Sequence, residues 1–217
     1  MNFKKILTTV FCVGLVCLEL TACDKNTVSD EIKNVINDNQ TQNTSYQKGE
    51  IVESEYINKS LGLKFVLPKE YRFSTNDEIA LLEKMIENNY LTDKAKKIPT
   101  TTTIEVFAFN INSSDNNFNF MIEDLNFNID EETYAEISKK NAKSMIVNGS
   151  ITYYQDSKEY LGGIEFYVMS NELILDNEKF RQKQFLKSLD KKMVLITFTY
   201  ETEDELKKMI NAFQKIE

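Results

Sequence analysis

Alternating apolar and polar residues predict a series of β-strands along the chain. The first clear strand is at residues 63–67, where Leu63, Phe65 and Leu67 alternate with other residues before Pro68. Residues 102–110 have apolar side chains at both alternating sets of positions, so both faces of that strand are expected to be buried. The same kind of pattern predicts further strands at residues 118–123, 151–155, 163–170, 178–188 and 193–200.

Apolar residues at helical spacing predict three helices, at residues 77–97, 130–148 and 203–215. Asn76 or Asp77 is expected to cap the first helix, and Asp130 opens the second. Thr202 and Glu205 have the spacing of a capping box, in which each side chain accepts a hydrogen bond from the other residue's backbone N–H.

Short polar segments between the predicted strands indicate hairpins. The strands at 151–155 and 163–170 are expected to turn around residues 156–159, and Asp190 and Lys191 are expected in the next turn. Consecutive hairpins produce an antiparallel sheet. We therefore predict an α+β domain, with an antiparallel sheet and three packed helices.

The N-terminal segment has the pattern of a secretory signal peptide. Lys4 and Lys5 precede an uncharged, mostly apolar stretch at residues 6–18. That stretch is shorter than the ~20 residues that a membrane-spanning helix needs. The pattern therefore predicts export of the protein rather than a span across the membrane.

A lipobox follows this stretch. Leu20, Thr21 and Ala22 precede Cys23, the arrangement at which bacterial lipoproteins are cleaved and the cysteine thiol receives a diacylglyceryl group. Two or three acyl chains would hold the protein stably, because each buried methylene contributes ~0.8 kcal/mol. Two alternatives remain: an ordinary signal peptide that precedes an incidental cysteine, and an uncleaved N-terminal helix.

The chain therefore divides into three predicted parts: a lipoprotein signal peptide at 1–22, a lipidated flexible tether at 23–54, and an α+β domain at 55–217. Asn, Asp, Gln, Thr and Ser dominate residues 24–50, a composition typical of a flexible tether. The expected location is the extracytoplasmic face of a cell membrane, with the lipid on Cys23 as the attachment.

Composition narrows the chemistry of the predicted domain. The 217-residue chain has a net charge of −8, which disfavours nucleic acid as a partner. Histidine is absent, and all three cysteines lie at or before Cys23, so the usual general base, thiolate chemistry and the common zinc sites are not expected in the domain. We predict no enzyme activity, no catalytic residue, no cofactor and no metal site.

Two short patterns resemble a calcium-binding loop and a catalytic motif, but each lacks essential parts. Residues 126–132 alternate oxygen-bearing side chains, but they lack the central glycine and distal glutamate of a calcium loop. Residues 45–48 and 188–191 match Ser-x-x-Lys, yet neither copy opens a predicted helix and the partner motifs are missing.

Aromatic residues gather around one predicted hairpin, and Tyr153, Tyr154, Tyr160 and Tyr167 form a candidate interaction surface. In the alternative interpretation, half of these residues fill the core and the others lie singly on the sheet. A contiguous exposed patch would favour binding of a partner or ligand.

The segment from Tyr56 to Pro68 contains a recognisable pattern, Tyr-x-Asn-x-x-Leu-Gly-x-x-Phe-x-Leu-Pro. It resembles the opening of small lipoproteins of low-GC Gram-positive bacteria with a PsbP-like fold, although Glu70-Tyr71 replaces the Gly-Trp of that family. The resemblance implies a central antiparallel sheet flanked by helices over residues 56–217. Most such lipoproteins have no assigned activity, so the resemblance implies no functional residue.

The sequence favours a membrane-anchored lipoprotein whose domain binds an unknown envelope protein or small ligand. The alternative is a carboxylate-based envelope hydrolase, which would need two convergent acids in a cleft. A solute-binding lipoprotein is a third interpretation, but one small domain lacks the two lobes that close around a ligand.

Overall fold

A computed structural model of the chain describes residues 46–81, 84, 102–113, 115–125, 127–145, 149–175 and 177–216. The described residues contain twelve strands and two complete helices. The strands are β1 Glu50–Val52, β2 Glu55–Asn58, β3 Leu63–Val66, β4 Tyr71–Phe73, β5 Thr102–Asn110, β6 Asn117–Asp124, β7 Gly149–Tyr153, β8 Ser157–Leu161, β9 Ile164–Leu175, β10 Glu178–Leu189, β11 Lys192–Tyr200 and β12 Phe213–Lys215. The helices are α1 Glu131–Met145 and α2 Glu203–Asn211.

The strands form two antiparallel sheets. An eight-stranded sheet has the order β4-β5-β6-β11-β10-β9-β7, and β8 also pairs with β9. A four-stranded sheet has the order β1-β2-β3-β12. The prediction of an α+β domain built on antiparallel strands is confirmed by these pairings.

Both faces of the large sheet are covered, because two separate groups of apolar side chains pack against it. On one face, residues of β5, β6, β9 and β11 pack with Tyr134, Ala135 and Ala142 of α1. On the other face, the small sheet and α2 contribute Phe65, Leu206 and other apolar residues. The burial of both faces of β5, predicted from its sequence, is confirmed.

The expectation of three packed helices is not borne out by the described residues. Residues 76–81 are helical, but most of the predicted first helix, at 77–97, lies outside the described residues. The predicted third helix ends at Asn211 because residues 213–215 pair with β3 instead. Phe213 packs against Phe65 and Phe198, with ring centroids 4.9 and 5.7 Å apart, and these contacts favour the strand.

The helix caps differ in detail from the predicted ones. Thr75, rather than Asn76 or Asp77, forms a reciprocal capping box with Glu78: the Thr75 N–H donates to Glu78 at 2.9 Å, and the Glu78 N–H donates to Thr75 Oγ1 at 3.2 Å. The Thr202 box forms only in part. The Glu205 N–H donates to Thr202 Oγ1 at 3.3 Å, whereas the Glu205 carboxylate accepts hydrogen bonds from other side chains.

The predicted turn at residues 156–159 is wrong. Residues 157–161 form β8, and the hairpin turns at Gly162-Gly163 instead. Both glycines have positive φ angles, +55° and +80°, which residues with side chains rarely adopt. The backbone requirement of this two-residue turn therefore determined where the hairpin closes. The turn predicted at Asp190 and Lys191 is confirmed.

Candidate binding site

The residues of the predicted lipobox, Leu20, Thr21, Ala22 and Cys23, lie outside the described residues. The cleavage and lipidation predicted from them stay predictions. Among the described residues, no helix is long and apolar enough to cross a membrane.

The four tyrosines of the predicted interaction surface differ in their exposure to solvent. Tyr154 and Tyr160 are exposed at 51% and 67%, whereas Tyr153 and Tyr167 are partly buried against the face that α1 covers. Tyr154 contacts Glu172, with 3.4 Å between Oη and Oε2. On β9, Glu172 follows Asn171, the residue that pairs with Tyr153, and successive side chains of a strand point to opposite faces of the sheet. Tyr154, which contacts Glu172, therefore lies towards the face opposite to Tyr153.

Tyr153 and Tyr167 meet at an ion pair between α1 and the sheet edge. Lys139 on α1 pairs with Asp156, and its Nζ lies 5.6 Å from the centre of the Tyr153 ring. Tyr167 Oη donates a hydrogen bond to Asp156 Oδ2 at 2.6 Å. Burial raises the pKa of Tyr167, and the hydrogen bond to Asp156 raises it further, so the phenol stays a donor at neutral pH.

A band of uncharged polar side chains extends inward from this edge across the middle of the large sheet. In one row, Asn119 pairs with Thr197 and Thr197 with Gln184; the next row contains Asn117, Thr199, Gln182 and Asn171. Every member is at most 1% exposed. We call these seven residues the polar band: Asn117, Asn119, Asn171, Gln182, Gln184, Thr197 and Thr199.

The polar band lies within an otherwise apolar face. One flanking row consists of Met121, Leu195 and Leu186, and Leu173 and Phe180 pair on the other side. All of these side chains belong to the apolar cluster that contains α1 residues. The polar groups are therefore enclosed by the core and do not mark a face of the sheet that contacts solvent.

Each end of the polar band is bordered by aromatic rings. On β5, Phe107 pairs with Asn119 and Phe109 with Asn117; on β7, Tyr153 pairs with Asn171.

The charged groups beside these rings are paired. Arg72 lies over the Phe109 ring, 4.3 Å from its centre, and donates to Glu78 Oε2 at 2.8 Å. Hydrogen bonding to Arg72 lowers the pKa of Glu78 to about 2. The polar band itself contains no ionisable group.

Several atoms of the polar band are buried without a hydrogen-bond partner among the described residues. These atoms are Nδ2 and Oδ1 of Asn119, Nδ2 and Oδ1 of Asn171, Oε1 of Gln184 and Oγ1 of Thr197. Leaving such an atom unsatisfied costs roughly 1–3 kcal/mol, and most buried polar groups in folded proteins do have a partner. The polar band thus contains hydrogen-bonding capacity that the described part of the chain does not use.

A second buried polar cluster surrounds Glu105, which lies at a β-bulge between Ile104 and Val106 of β5. Tyr46 Oη donates to Glu105 Oε1 at 2.8 Å, and the Gly49 N–H donates to Oε2 at 3.0 Å. Tyr56 Oη also donates to Oε2. Here a buried carboxylate accepts three hydrogen bonds.

Asn58 completes the Glu105 cluster. Its Nδ2 donates to Tyr46 Oη at 2.7 Å and to Tyr56 Oη at 3.1 Å. Burial, followed by the nearby Glu105 charge, raises the pKa of both phenols, so they remain donors at neutral pH. The cluster fixes residues 46–49 on the domain, and β1 pairs with β2 immediately afterwards. Residues 46–54, assigned to the tether from the sequence, are therefore joined to the domain by hydrogen bonds and strand pairing in this structure.

Glu105 and Glu123 are the buried carboxylates among the described residues, at 9% and 0% exposure. Glu123 Oε2 accepts a hydrogen bond from Tyr134 of α1 at 2.6 Å. Glu105 contacts Tyr56, which packs on the opposite face of the sheet. Since the sheet separates the two carboxylates, they do not form the convergent pair that acid–base hydrolysis requires. No cluster of acidic side chains suited to hold a metal ion occurs in the described part of the chain.

The residues of the Tyr56–Pro68 pattern form the β2–β3 hairpin beside this cluster. Asn58 Oδ1 accepts a hydrogen bond from the Leu61 N–H at 3.0 Å, and Gly62 has a φ of +68°. Phe65 is fully buried in the core. The pattern therefore encodes a turn, a core anchor and one of the tyrosines that contact Glu105.

No protein-family model matches the chain, and no curated protein matches it. Similar solved structures include the solution structure of cyanobacterial PsbP (CyanoP) from Synechocystis sp. PCC 6803, with a TM-score of 0.46 and 9% identity over 82% of this chain and 98% of that chain. A crystal structure from Bacteroides thetaiotaomicron VPI-5482 has a TM-score of 0.40 and 8% identity over 75% of this chain and 48% of that chain. LpqN, involved in cell envelope biogenesis of Mycobacterium tuberculosis, has a TM-score of 0.36 and 11% identity over 69% of this chain and 76% of that chain. The strand order and registers given above define the fold.

Sequence reasoning missed both the polar band and the Glu105 cluster. In β6, Asn117 and Asn119 alternate with apolar residues, a pattern that ordinarily indicates a face exposed to solvent. A usable signal was present, since Thr197 and Thr199 repeat the same polar spacing in β11, the strand next to β6. Only the strand order shows that these positions are adjacent and enclosed.

Proposed function

We propose that this chain is a lipoprotein attached through Cys23 to the extracytoplasmic face of a cell membrane, and that its domain binds a ligand or envelope protein without catalysing a reaction. The observation that carries the anchoring is the lipobox, Leu20-Thr21-Ala22-Cys23, directly after a short apolar segment with two lysines before it. The resemblance of the β2–β3 hairpin to the opening of PsbP-like lipoproteins of low-GC Gram-positive bacteria supports the same assignment.

The buried polar residues support a binding domain over a hydrolase. The polar band is uncharged, while the buried acids Glu105 and Glu123 lie on opposite faces of the sheet and each accepts a hydrogen bond from a tyrosine. A general acid–base mechanism needs titratable groups that converge on one substrate. Binding needs only enclosed donors and acceptors, which the polar band supplies.

Substituting Cys23 by serine is expected to abolish lipid attachment, because the serine hydroxyl cannot replace the thiol that is alkylated. The variant would remain as an unprocessed precursor or leave the membrane fraction. Metabolic labelling with a palmitate analogue, followed by fractionation of the cells, measures both effects. Cys17→Ser is the matched control: it changes a cysteine in the predicted signal peptide and should retain full labelling. Undiminished label on Cys23→Ser would refute the proposed anchor.

A further inference from the structure

We propose that the polar band binds an uncharged polyhydroxylated ligand of the carbohydrate class. This inference rests on the proposed binding function and assigns it a place and a ligand chemistry. Buried amide and hydroxyl atoms on Asn119, Asn171, Gln184 and Thr197 have no hydrogen-bond partner among the described residues and are free to bind such a ligand.

The chemistry of the polar band determines the class of ligand. Side-chain amides and threonine hydroxyls offer both donors and acceptors, as sugar hydroxyl groups do. A charged ligand would find no opposite charge within the polar band, whose residues are all uncharged. The cations beside the flanking rings, Arg72 and Lys139, are already paired with Glu78 and Asp156. An acyl chain would offer no hydrogen bond to the buried polar atoms of Asn119, Asn171, Gln184 and Thr197, at a high desolvation cost.

The position of the polar band disfavours an extended peptide. Its residues belong to β6, β11, β10 and β9, and each of these strands is paired on both sides. A peptide that binds by adding a strand needs a free sheet edge. The four strands together span about 14 Å at the usual strand spacing, the length of a short oligosaccharide.

The aromatic residues at the two ends fit the same ligand class. Phe107 and Phe109 adjoin the polar band on β5, and Tyr153 adjoins it on β7. Their flat apolar surfaces can pack against the C–H faces of sugar rings, while the polar band pairs with the hydroxyl groups. Ligand would approach from the β7 edge, beside the partly buried Tyr153 and Tyr167.

The helix α1 covers this face and has to move before a ligand can reach the polar band. On the buried side of α1, Ala135, Ser138 and Ala142 are at most 1% exposed, and all three side chains are small. These three side chains bury little apolar area compared with leucine or phenylalanine. Tyr134 of α1, in contrast, is fully buried and donates a hydrogen bond to Glu123, so ligand binding has to outweigh the loss of that contact when α1 moves. Ser138 Oγ on α1 is also buried without a partner among the described residues.

Isothermal titration calorimetry on the full chain tests the inference. The protein is purified in a zwitterionic detergent, because a detergent with a sugar headgroup would compete for the site. The probes are maltotriose, cellotriose and N,N′,N″-triacetylchitotriose, with a capped hexaalanine peptide for comparison. At least one trisaccharide is expected to bind with a Kd below about 1 mM.

Two conservative variants locate the binding. Gln184→Met and Thr197→Val keep the side-chain shape but remove hydrogen-bonding groups, and each should weaken trisaccharide binding roughly tenfold. The matched control is Gln214→Met on the exposed surface of β12, which should bind as the unmodified chain does. Circular dichroism checks that each variant folds; if Gln184→Met does not fold, the isosteric Thr197→Val variant decides the question.

Three results would overturn the inference: no trisaccharide binds below about 1 mM, the band variants bind as tightly as the unmodified chain, or the peptide binds and the trisaccharides do not. Failure of the anchoring proposal is seen separately. Retained lipid label on Cys23→Ser would remove the anchor but would leave the titrations unaffected.

Discussion

Replacing Glu105 by leucine is expected to lower the free energy of unfolding by about 3–5 kcal/mol. The carboxylate accepts hydrogen bonds from Tyr46, the Gly49 N–H and Tyr56, and all of these donors would lose their acceptor. A leucine at the β-bulge cannot replace any of the three contacts. Urea unfolding of the full chain at neutral pH, followed by circular dichroism, measures the loss.

Two further variants serve as comparisons for Glu105→Leu. Glu178→Leu makes the same substitution at an exposed position at the start of β10 and should change the stability by less than about 0.5 kcal/mol. Tyr46→Phe removes one of the three donors and should cost about 1 kcal/mol. If Glu105→Leu cost no more than Glu178→Leu, the cluster would not hold residues 46–49 on the domain.

Gln184→Met and Thr197→Val are expected to raise the stability of the ligand-free chain, each by about 1–2 kcal/mol. Gln184 Oε1 and Thr197 Oγ1 are buried without a partner among the described residues, so their removal relieves a desolvation cost. A gain in stability with a loss of binding is typical of residues retained for function. Thermal and urea unfolding of the same proteins used for the titrations measure this gain.

Gln214→Met is again the control, and its stability should stay within about 0.5 kcal/mol of the unmodified chain. If both band variants lost more than about 1 kcal/mol, Gln184 and Thr197 would be contributing to folding. The polar band would then be a structural network, with no unused hydrogen-bonding groups for a ligand.

The regular strands were predictable because their sequences satisfy a simple rule. β5 and β11 have apolar residues on both alternating sets, and the structure buries both faces of each. The turn at Asp190-Lys191 was equally readable, since polar residues separate two long strands. In these regions local sequence and tertiary packing favour the same structure.

The errors arose where tertiary contacts decide between two local structures. Phe213 fits the apolar stripe of a continued helix, but contacts with Phe65 and Phe198 hold it in β12. Residues 157–161 are mostly polar and form an edge strand, in which only Leu161 is buried. Such a strand has little hydrophobic pattern, so pairing with β9 defines it.

The two buried polar clusters were unpredictable for a different reason. Glu105 is separated from Tyr46 by 59 positions and from Tyr56 by 49, and no local pattern connects residues so far apart. The polar band combines residues of four strands, and its members are neighbours only once the order β6-β11-β10-β9 is known. Sequence alternation shows which residues share a face of a strand, but not which layer covers that face.

The central claim is that a lipid on Cys23 holds this domain at the outer face of a membrane. The most direct test is mass spectrometry of the intact protein isolated from its native membranes. The expected result is an N-terminus at Cys23 with a mass increase of at least a diacylglyceryl group on the thiol. A chain that begins at Met1, or that begins at Cys23 with an unmodified thiol, would contradict it.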